Sequence, residues 1–285
     1  MDTAVAGTAI GPMVIVAADQ YDAHPVVQDD LAARVLPLPG RLAAAAARWR
    51  PVRNALIAAT EKKIPGLWAG MLCRKRYVDD RLAVTDAEAV VVLGAGFDTR
   101  GCRLRDKQLF EVDLPSNIES KRARLRAIFG EVPPNLRLVP VDFESRRIDD
   151  VLAEHGYHAE LRTFFVWEAV TQYLTEEAVR ATFGFLAQAP AGSELVFTFV
   201  RKDFLDGTAL FGGEEAYREF VVKRRVWKFG LLPEEVAGFV APYGWVEFEQ
   251  LGPGEFTERY LAPSGRSLPV SELERTVRCV KVVDR

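Results

Sequence analysis

The chain has 285 residues, a length that suits one or two domains. Hydrophobic residues make up 49% and charged residues 27%, ordinary globular values that exclude a disordered, collagenous or coiled-coil chain. With 37 basic against 40 acidic residues the net charge is −3, so no strongly basic surface points to nucleic acid. The three cysteines, Cys73, Cys102 and Cys279, lack CxxC spacing and suggest neither a disulfide framework nor a metal site. Free thiols suit a reducing cytoplasm. The uncharged opening, residues 3–18, is shorter than the roughly 20 residues a bilayer span needs and lacks the basic flank of an export signal. A cytoplasmic protein with neither a membrane nor a nucleic-acid partner is expected.

Residues 1–30 are weakly patterned, and His24-Pro25 marks a turn or an extended stretch. Helical periodicity begins near Asp29. Residues 42–57 favour helix except at Pro51, which should kink or split it. A further helix is expected after Pro65, running through Met71 and Tyr77 to Leu82, so that residues 1–85 form a helical N-terminal cap. At Ala89 the pattern changes. Ala89–Leu93 (AVVVL) is a short, β-branched apolar run ended by glycine, as in a strand buried on both faces of a parallel sheet. Similar runs recur at 109–112, 136–141, 163–166 and 195–200, with helical stretches at 117–129, 148–155 and 176–188. This alternation predicts right-handed βαβ units in a doubly wound α/β sheet. A helix is expected over 233–243, and residues 245–250 and 275–283 alternate as two strands pairing antiparallel at one sheet edge. The second unit runs over 86–285, with 203–232 as a lid insertion.

Gly94-Ala95-Gly96 directly follows the first strand, at the carboxyl end where open α/β sheets bind ligands. Glycine permits the tight turn and lets a ligand approach the backbone. A dinucleotide fingerprint asks for a third glycine at position 99; Thr99 stands there, which counts against NAD and FAD. Asp113 ends the next strand about 20 residues past the first glycine, where a carboxylate accepts hydrogen bonds from ribose hydroxyls. Adenosine without an accommodated pyrophosphate suggests S-adenosylmethionine. Asp142 and Glu168 end two later strands and face the same crevice. One suits an adenine amino group, and one suits the cationic side of such a cofactor.

The run Val91–Arg100 (VVLGAGFDTR) resembles the glycine motif of the leucine carboxyl methyltransferase-like family, which are S-adenosylmethionine-dependent O-methyltransferases. Matching blocks are Arg74–Asp80 (RKRYVDD), Glu111–Pro115 (EVDLP) and Trp167–Leu174 (WEAVTQYL), in the same order. The resemblance implies a Rossmann-like class I methyltransferase. Its sheet would be mostly parallel and seven-stranded, with an antiparallel edge strand and a helical N-terminal cap. It also implies S-adenosyl-L-methionine as cofactor and no metal. Gly94 and Gly96, with Ala95 and Asp98 in the same block, would pass under the cofactor's methionine part. Asp113, with Leu114 next to it, would bind the ribose, and Asp142 with Phe143 the adenine. Glu168 would lie near the amino acid part. A basic residue of the upstream block would hold the cofactor carboxylate, Arg74 in preference to Arg76. Lys75 stands where the family often has threonine.

Methyl transfer from a sulfonium to an anion leaves two neutral products, so a dry, aligned site favours it. Orientation alone is worth about 7–11 kcal/mol. A carboxylate is ionised at neutral pH and needs no base, whereas a phenol, with a pKa of about 10, benefits from one. Bases are few: His24, His155 and His158, the last two in an expected surface turn. The balance favours a small-molecule carboxylate, of specialised-metabolite or polyketide type, with Tyr173 or Tyr77 near the methyl group. A phenol acceptor on the same fold and a non-catalytic adenosyl-binding module are the alternatives. Substrate recognition is expected from the helical lead-in and from residues 204–229. There Phe211, Tyr217, Phe220 and Trp227 would cover an apolar or aromatic substrate, and Arg224 or Arg225 would meet its carboxylate.

Overall fold

A computed structural model describes residues 10–142 and 146–282. Among the described residues five helices come first: α1 (Ile10–Asp19), α2 (Ala32–Val35), α3 (Leu38–Ala46), α4 (Arg50–Lys63) and α5 (Leu67–Val84). Pro51 separates α3 from α4 by occupying the first turn of α4, where its missing amide donor has no partner to lose. From Ile10 the chain is helical although its sequence is weakly patterned. In α1, Met13 and Ile15 to Ala18 are buried. Its sequence, IGPMVIVAAD, is apolar on every side, so no periodic face marks it out. Asp19 at its end is buried, accepts from the Val26 amide at 2.8 Å and pairs with Arg266.

From Ala89 strand and helix alternate: β1 (Ala89–Leu93), α6 (Arg100–Arg103), β2 (Gln108–Asp113), α7 (Pro115–Phe129), β3 (Leu136–Pro140), α8 (Ile148–Glu154), β4 (Thr163–Trp167), α9 (Glu176–Leu186) and β5 (Glu194–Arg201). β6 (Gly230–Leu231), β7 (Trp245–Leu251) and β8 (Glu274–Lys281) complete one sheet of order β3-β2-β1-β4-β5-β8-β7, with β6 pairing on β5. β1 to β6 pair in parallel, with Val91 opposite both Phe110 and Phe165. β8 runs antiparallel to both β5 and β7. The antiparallel strand is therefore last but one, and β7 closes the edge with Val246 and Phe248 exposed. The eighth strand, β6, is two residues long and leaves no pattern to read.

Period-two alternation sorts the core into layers. Along β1, Val90 and Val92 join Val16, Leu72, Tyr77 and Leu125 from α1, α5 and α7. Ala89, Val91 and Leu93 join Val151 of α8, Phe183 of α9 and Trp245 on the opposite face. A fully buried ion pair between Lys121 of α7 and Glu111 of β2 ties helix to sheet. β2 and β4 flank β1 on opposite sides, so the strand order reverses there and opens the crevice of a doubly wound sheet. Among the described residues no helix is long and apolar enough to cross a membrane.

Candidate active site

The carboxyl ends of β1, β2 and β4 open into a cavity of about 600 Å³, a size typical of small-molecule sites. Gly94 and Gly96 turn the chain with φ of +73° and +49°. The amides of Gly94 and Ala95 both donate to the Val112 carbonyl, at 2.8 and 3.0 Å, and lock the turn to the end of β2. A Cβ at Gly94 would lie 2.2 Å from Val170 Cγ2, so the loop after β4 closes directly on the turn. That loop carries Ala169 at φ +57°, a left-handed conformation that costs a residue with a Cβ free energy and gathers at functional sites.

Asp113 organises the turn as well as facing the cavity. Its Oδ2 accepts from the Gly96 amide at 2.5 Å, and its Oδ1 accepts from the Leu114 amide at 2.6 Å and from Asn117 Nδ2 at 2.7 Å. A carboxylate offers about four lone-pair sites, so these bonds leave Oδ2 with one more to give.

The charged wall is built from α5, the glycine turn and the β4 loop. Arg74, buried in α5, donates from Nε to Glu168 Oε1 at 2.7 Å and pairs through Nη1 with Glu274. Arg100 holds the other Glu168 oxygen at 2.9 Å, Asp98 at 2.6 Å and Asp79 at 2.6 Å. Lys75 Nζ lies 3.5 Å from Asp98 and 3.8 Å from Glu168, beyond hydrogen-bond length. Burial alone would raise the Glu168 pKa, but Lys75, Arg100 and Arg74 outweigh it and hold it down to about 2. Burial acts on Asp98 likewise, and Arg100 and Lys75 hold its carboxyl well below the usual range. Both acids stay ionised through neutral pH. Arg76 is directed elsewhere: it pairs with Asp80 at 2.8 Å, donates to the Val26 carbonyl and does not line the cavity.

The sequence-derived candidates Arg74, Gly94, Ala95, Gly96, Asp98, Asp113, Leu114, Glu168, Tyr173 and Trp227 therefore line one cavity. Asp142 sits half-buried at the neighbouring strand end and does not line it, and Phe143 lies outside the described residues. Tyr77 must be taken out of the reacting set. It is buried away from the cavity wall, and its hydroxyl donates to Glu249 of β7 at 2.6 Å. Burial, with Glu249 beside it, pushes that phenol far above its ordinary value. Phe211, Tyr217 and Arg224 do not line the cavity either. Arg201 lies over the Phe211 ring at 4.6 Å, and Tyr217 packs edge-on against Phe204 at 5.7 Å. The Arg224 guanidinium lies 5.8 Å from the Phe220 ring. Phe220 and Trp227, stacked at 4.7 Å, form the wall instead. Residues 217–223 are π-helical, so the 3.6-residue spacing does not tell which side chains share a face.

The rest of the cavity lining was not foreseen in detail. Met13 and Ile15 come from α1, Lys63 and Ile64 from the end of α4, Trp68 and Met71 from α5, and Leu273 from the approach to β8. Glu274 was missed too; it meets Arg74 across 200 residues of chain, and no local pattern announces such a pair. The three cysteines are free and buried. Burial pushes the Cys73 and Cys102 thiols up to about 12, and neither lines the cavity.

Residues 9–187, more than half of the chain, match the family Leucine carboxyl methyltransferase. The Bacillus subtilis (strain 168) protein "Putative S-adenosyl-L-methionine-dependent methyltransferase YktD" is 27% identical over 209 residues, 70% of this chain and 67% of its own length. A Mycobacterium avium (strain 104) protein of the same description is 32% identical over 152 residues, 50% of this chain and 48% of its own. The chain thus spans about half to two thirds of the length of these relatives. The crystal structure of a "putative methyltransferase from Thermobifida fusca YX" shares the fold, with a TM-score of 0.57 over 88% of this chain and 94% of that one, at 16% identity. The glycine turn, the Asp113 strand end and the Trp167–Leu174 block all fall inside the matched stretch, and the chain belongs to the leucine carboxyl methyltransferase family.

Proposed function

We propose that the protein is an S-adenosyl-L-methionine-dependent O-methyltransferase that converts the carboxylate of a small molecule into its methyl ester. The mixed lining of the cavity supports this reading. Its ionised side chains carry both signs, which suits the carboxylate, ammonium and sulfonium of the cofactor. In this reading Arg74 holds the cofactor carboxylate and Glu168 its ammonium. Gly94 and Gly96 leave room for the methionine part, and Asp113 takes a ribose hydroxyl on Oδ2. Asp142 and Phe143 are assigned to the adenine. When bound, the cofactor supplies its methyl group to an in-line nucleophile, the S–C bond breaking as the new bond forms and its electron pair staying on sulfur. Residues 1–85 act as a cap and 203–232 as a lid, and together they exclude water, which opposes this charge-annihilating step.

The observation that carries the carboxylate assignment is that the acids lining the cavity are already engaged. Among the described residues no histidine lines the cavity. Of the four acids lining it among the described residues, Asp98 and Glu168 are tied to cations and held at low pKa, Glu274 pairs with Arg74, and Asp113 accepts three hydrogen bonds. A carboxylate acceptor arrives already ionised. The second reading, a phenol acceptor, rests on Tyr173, the one tyrosine lining the cavity among the described residues.

Transfer of labelled methyl from S-adenosylmethionine to a panel of acids and phenols, followed by mild alkali, tests this. Label released as volatile methanol is the expected result for an ester. Label that survives alkali moves the assignment to the phenol reading. Bound S-adenosylhomocysteine without transfer to any member of the panel would count against catalysis on these acceptor classes.

A further inference from the structure

Among the described residues three cations line the cavity: Lys63, Arg74 and Lys75. Arg74 and Lys75 are answered by Glu168, Glu274 and Asp98. Lys63 differs. It ends α4 next to Ile64, and among the described residues no carboxylate pairs with it. Its Nζ stands 4.8 Å from the centre of the Phe220 ring, which is stacked in turn on Trp227. A ring face is a weak partner for an ammonium. An anion that accepts a charge-assisted hydrogen bond from the ammonium is a stronger one.

The position of Lys63 connects it to the reacting end. Ile64, Phe220, Trp227 and Tyr173 belong to one apolar cluster. Tyr173 follows Glu168, Ala169 and Val170 on the β4 loop, and all four line the same cavity. A carboxylate paired with Lys63 therefore lies on the Tyr173 side of the cavity, with apolar walls from Trp68, Met71 and Leu273 around the rest of the molecule.

Resting on the methyltransferase reading above, we propose that Lys63 selects the methyl acceptor. The acceptor is an acid with an extended apolar body, and its carboxylate pairs with the Lys63 ammonium. A neutral head group of the same length leaves Lys63 with only the ring, and a cationic head group is repelled by it.

The test uses octanoate, octanol and octylamine, equal in apolar length and different in charge, titrated into the full chain saturated with S-adenosylhomocysteine and, separately, into the chain alone. Trp68 and Trp227 line the cavity, so their fluorescence reports binding. The expected order is octanoate, octanol, octylamine, with octanoate tighter than octanol by about tenfold or more, the scale of a charge-assisted hydrogen bond. Lys63→Gln should bring octanoate to the level of octanol without changing octanol or S-adenosylhomocysteine affinity. Lys63→Arg should restore the preference, which a merely structural lysine would not do. Equal binding of octanoate and octanol, a preference that survives Lys63→Gln, or no binding of any of the three would overturn the proposal. Calorimetry with S-adenosylhomocysteine is read separately, so failure of the cofactor reading is distinguishable from failure of the Lys63 assignment.

Discussion

Arg74 Nε donates to Glu168 Oε1 at 2.7 Å, joining the middle of α5 to the loop after β4 across 94 residues of chain. Arg100 takes the second oxygen, so one carboxylate ties Arg74, at the cavity wall, to Arg100, which does not line the cavity. Glu168→Gln keeps the shape and removes the charge. Breaking a buried ion pair costs about 3–5 kcal/mol; here Glu274, Asp98 and Asp79 remain to answer the two arginines, so a loss at the lower end is expected. If Glu168 also meets the cofactor ammonium, S-adenosylhomocysteine affinity should fall by about tenfold or more. Calorimetric titration beside a melting curve separates the two effects. A lowered Tm with unchanged affinity would make Glu168 a structural residue only.

The same carboxylate sets the sign of part of the acid dependence. Its folded-state pKa, held down to about 2, lies below the ordinary value of 4.5. A depressed value contributes stability that is fully present above the unfolded pKa and is lost as pH falls through the folded one. Glu168 should therefore add nothing to the slope between pH 5 and 7, and should cost stability as pH drops from 4.5 toward 2. Asp98, also depressed, acts in the same direction. Glu111 acts in the opposite one, because burial raises its carboxyl and Lys121 offsets only part of that. Tm measured from pH 7 to 2.5 should show a shallower acid limb in Glu168→Gln than in the native chain; identical limbs would remove Glu168 from this account.

Asp113 combines two tasks, and substitutions should separate them. Asp113→Ala leaves the Gly96 and Leu114 amides without their acceptor, at about 1–3 kcal/mol for each unmade bond to a buried group. It should lower Tm as well as cofactor affinity. Asp113→Asn keeps one acceptor oxygen and loses the charge, so it should retain more of the stability while binding S-adenosylhomocysteine more weakly than the native chain. Native affinity in Asp113→Asn would contradict the ribose assignment.

Much of this arrangement is legible in the sequence because the parallel strands are buried on both faces. AVVVL has no reading other than an interior strand once glycine ends it, and β2 to β5 follow the same logic. The acids Asp113 and Glu168 could be assigned to the crevice because strand ends fix direction. Helices are less informative where they are buried on several sides. Arg74 and Tyr77 lie one turn apart in α5, yet one lines the cavity and the other meets Glu249 of β7. α1 hides for a related reason, since a helix without a polar face has no period to detect. In residues 217–223 the π-helical turn places Phe220 on the cavity and Tyr217 on Phe204, a distinction that composition alone does not carry.

Gly94 offers the sharpest test of the turn itself. Its φ of +73° is left-handed, a conformation that costs a residue with a Cβ about 1–2 kcal/mol. Space is refused as well, because the added Cβ would lie 2.2 Å from Val170 Cγ2 and 3.3 Å from Val170 Cβ. Gly94→Ala should therefore lose more stability than the backbone term alone, and should weaken S-adenosylhomocysteine binding as the β4 loop is pushed away from the turn. Val170→Ala removes the overlapping methyl groups and leaves the backbone term in place. Measured by urea denaturation against Val170→Ala as the reference, the double variant Gly94→Ala with Val170→Ala should fall short by only about 1–2 kcal/mol. A double variant that loses as much as the two single changes added together would mean that the Val170 overlap is not what the glycine relieves, and the strain would then reside in the turn alone.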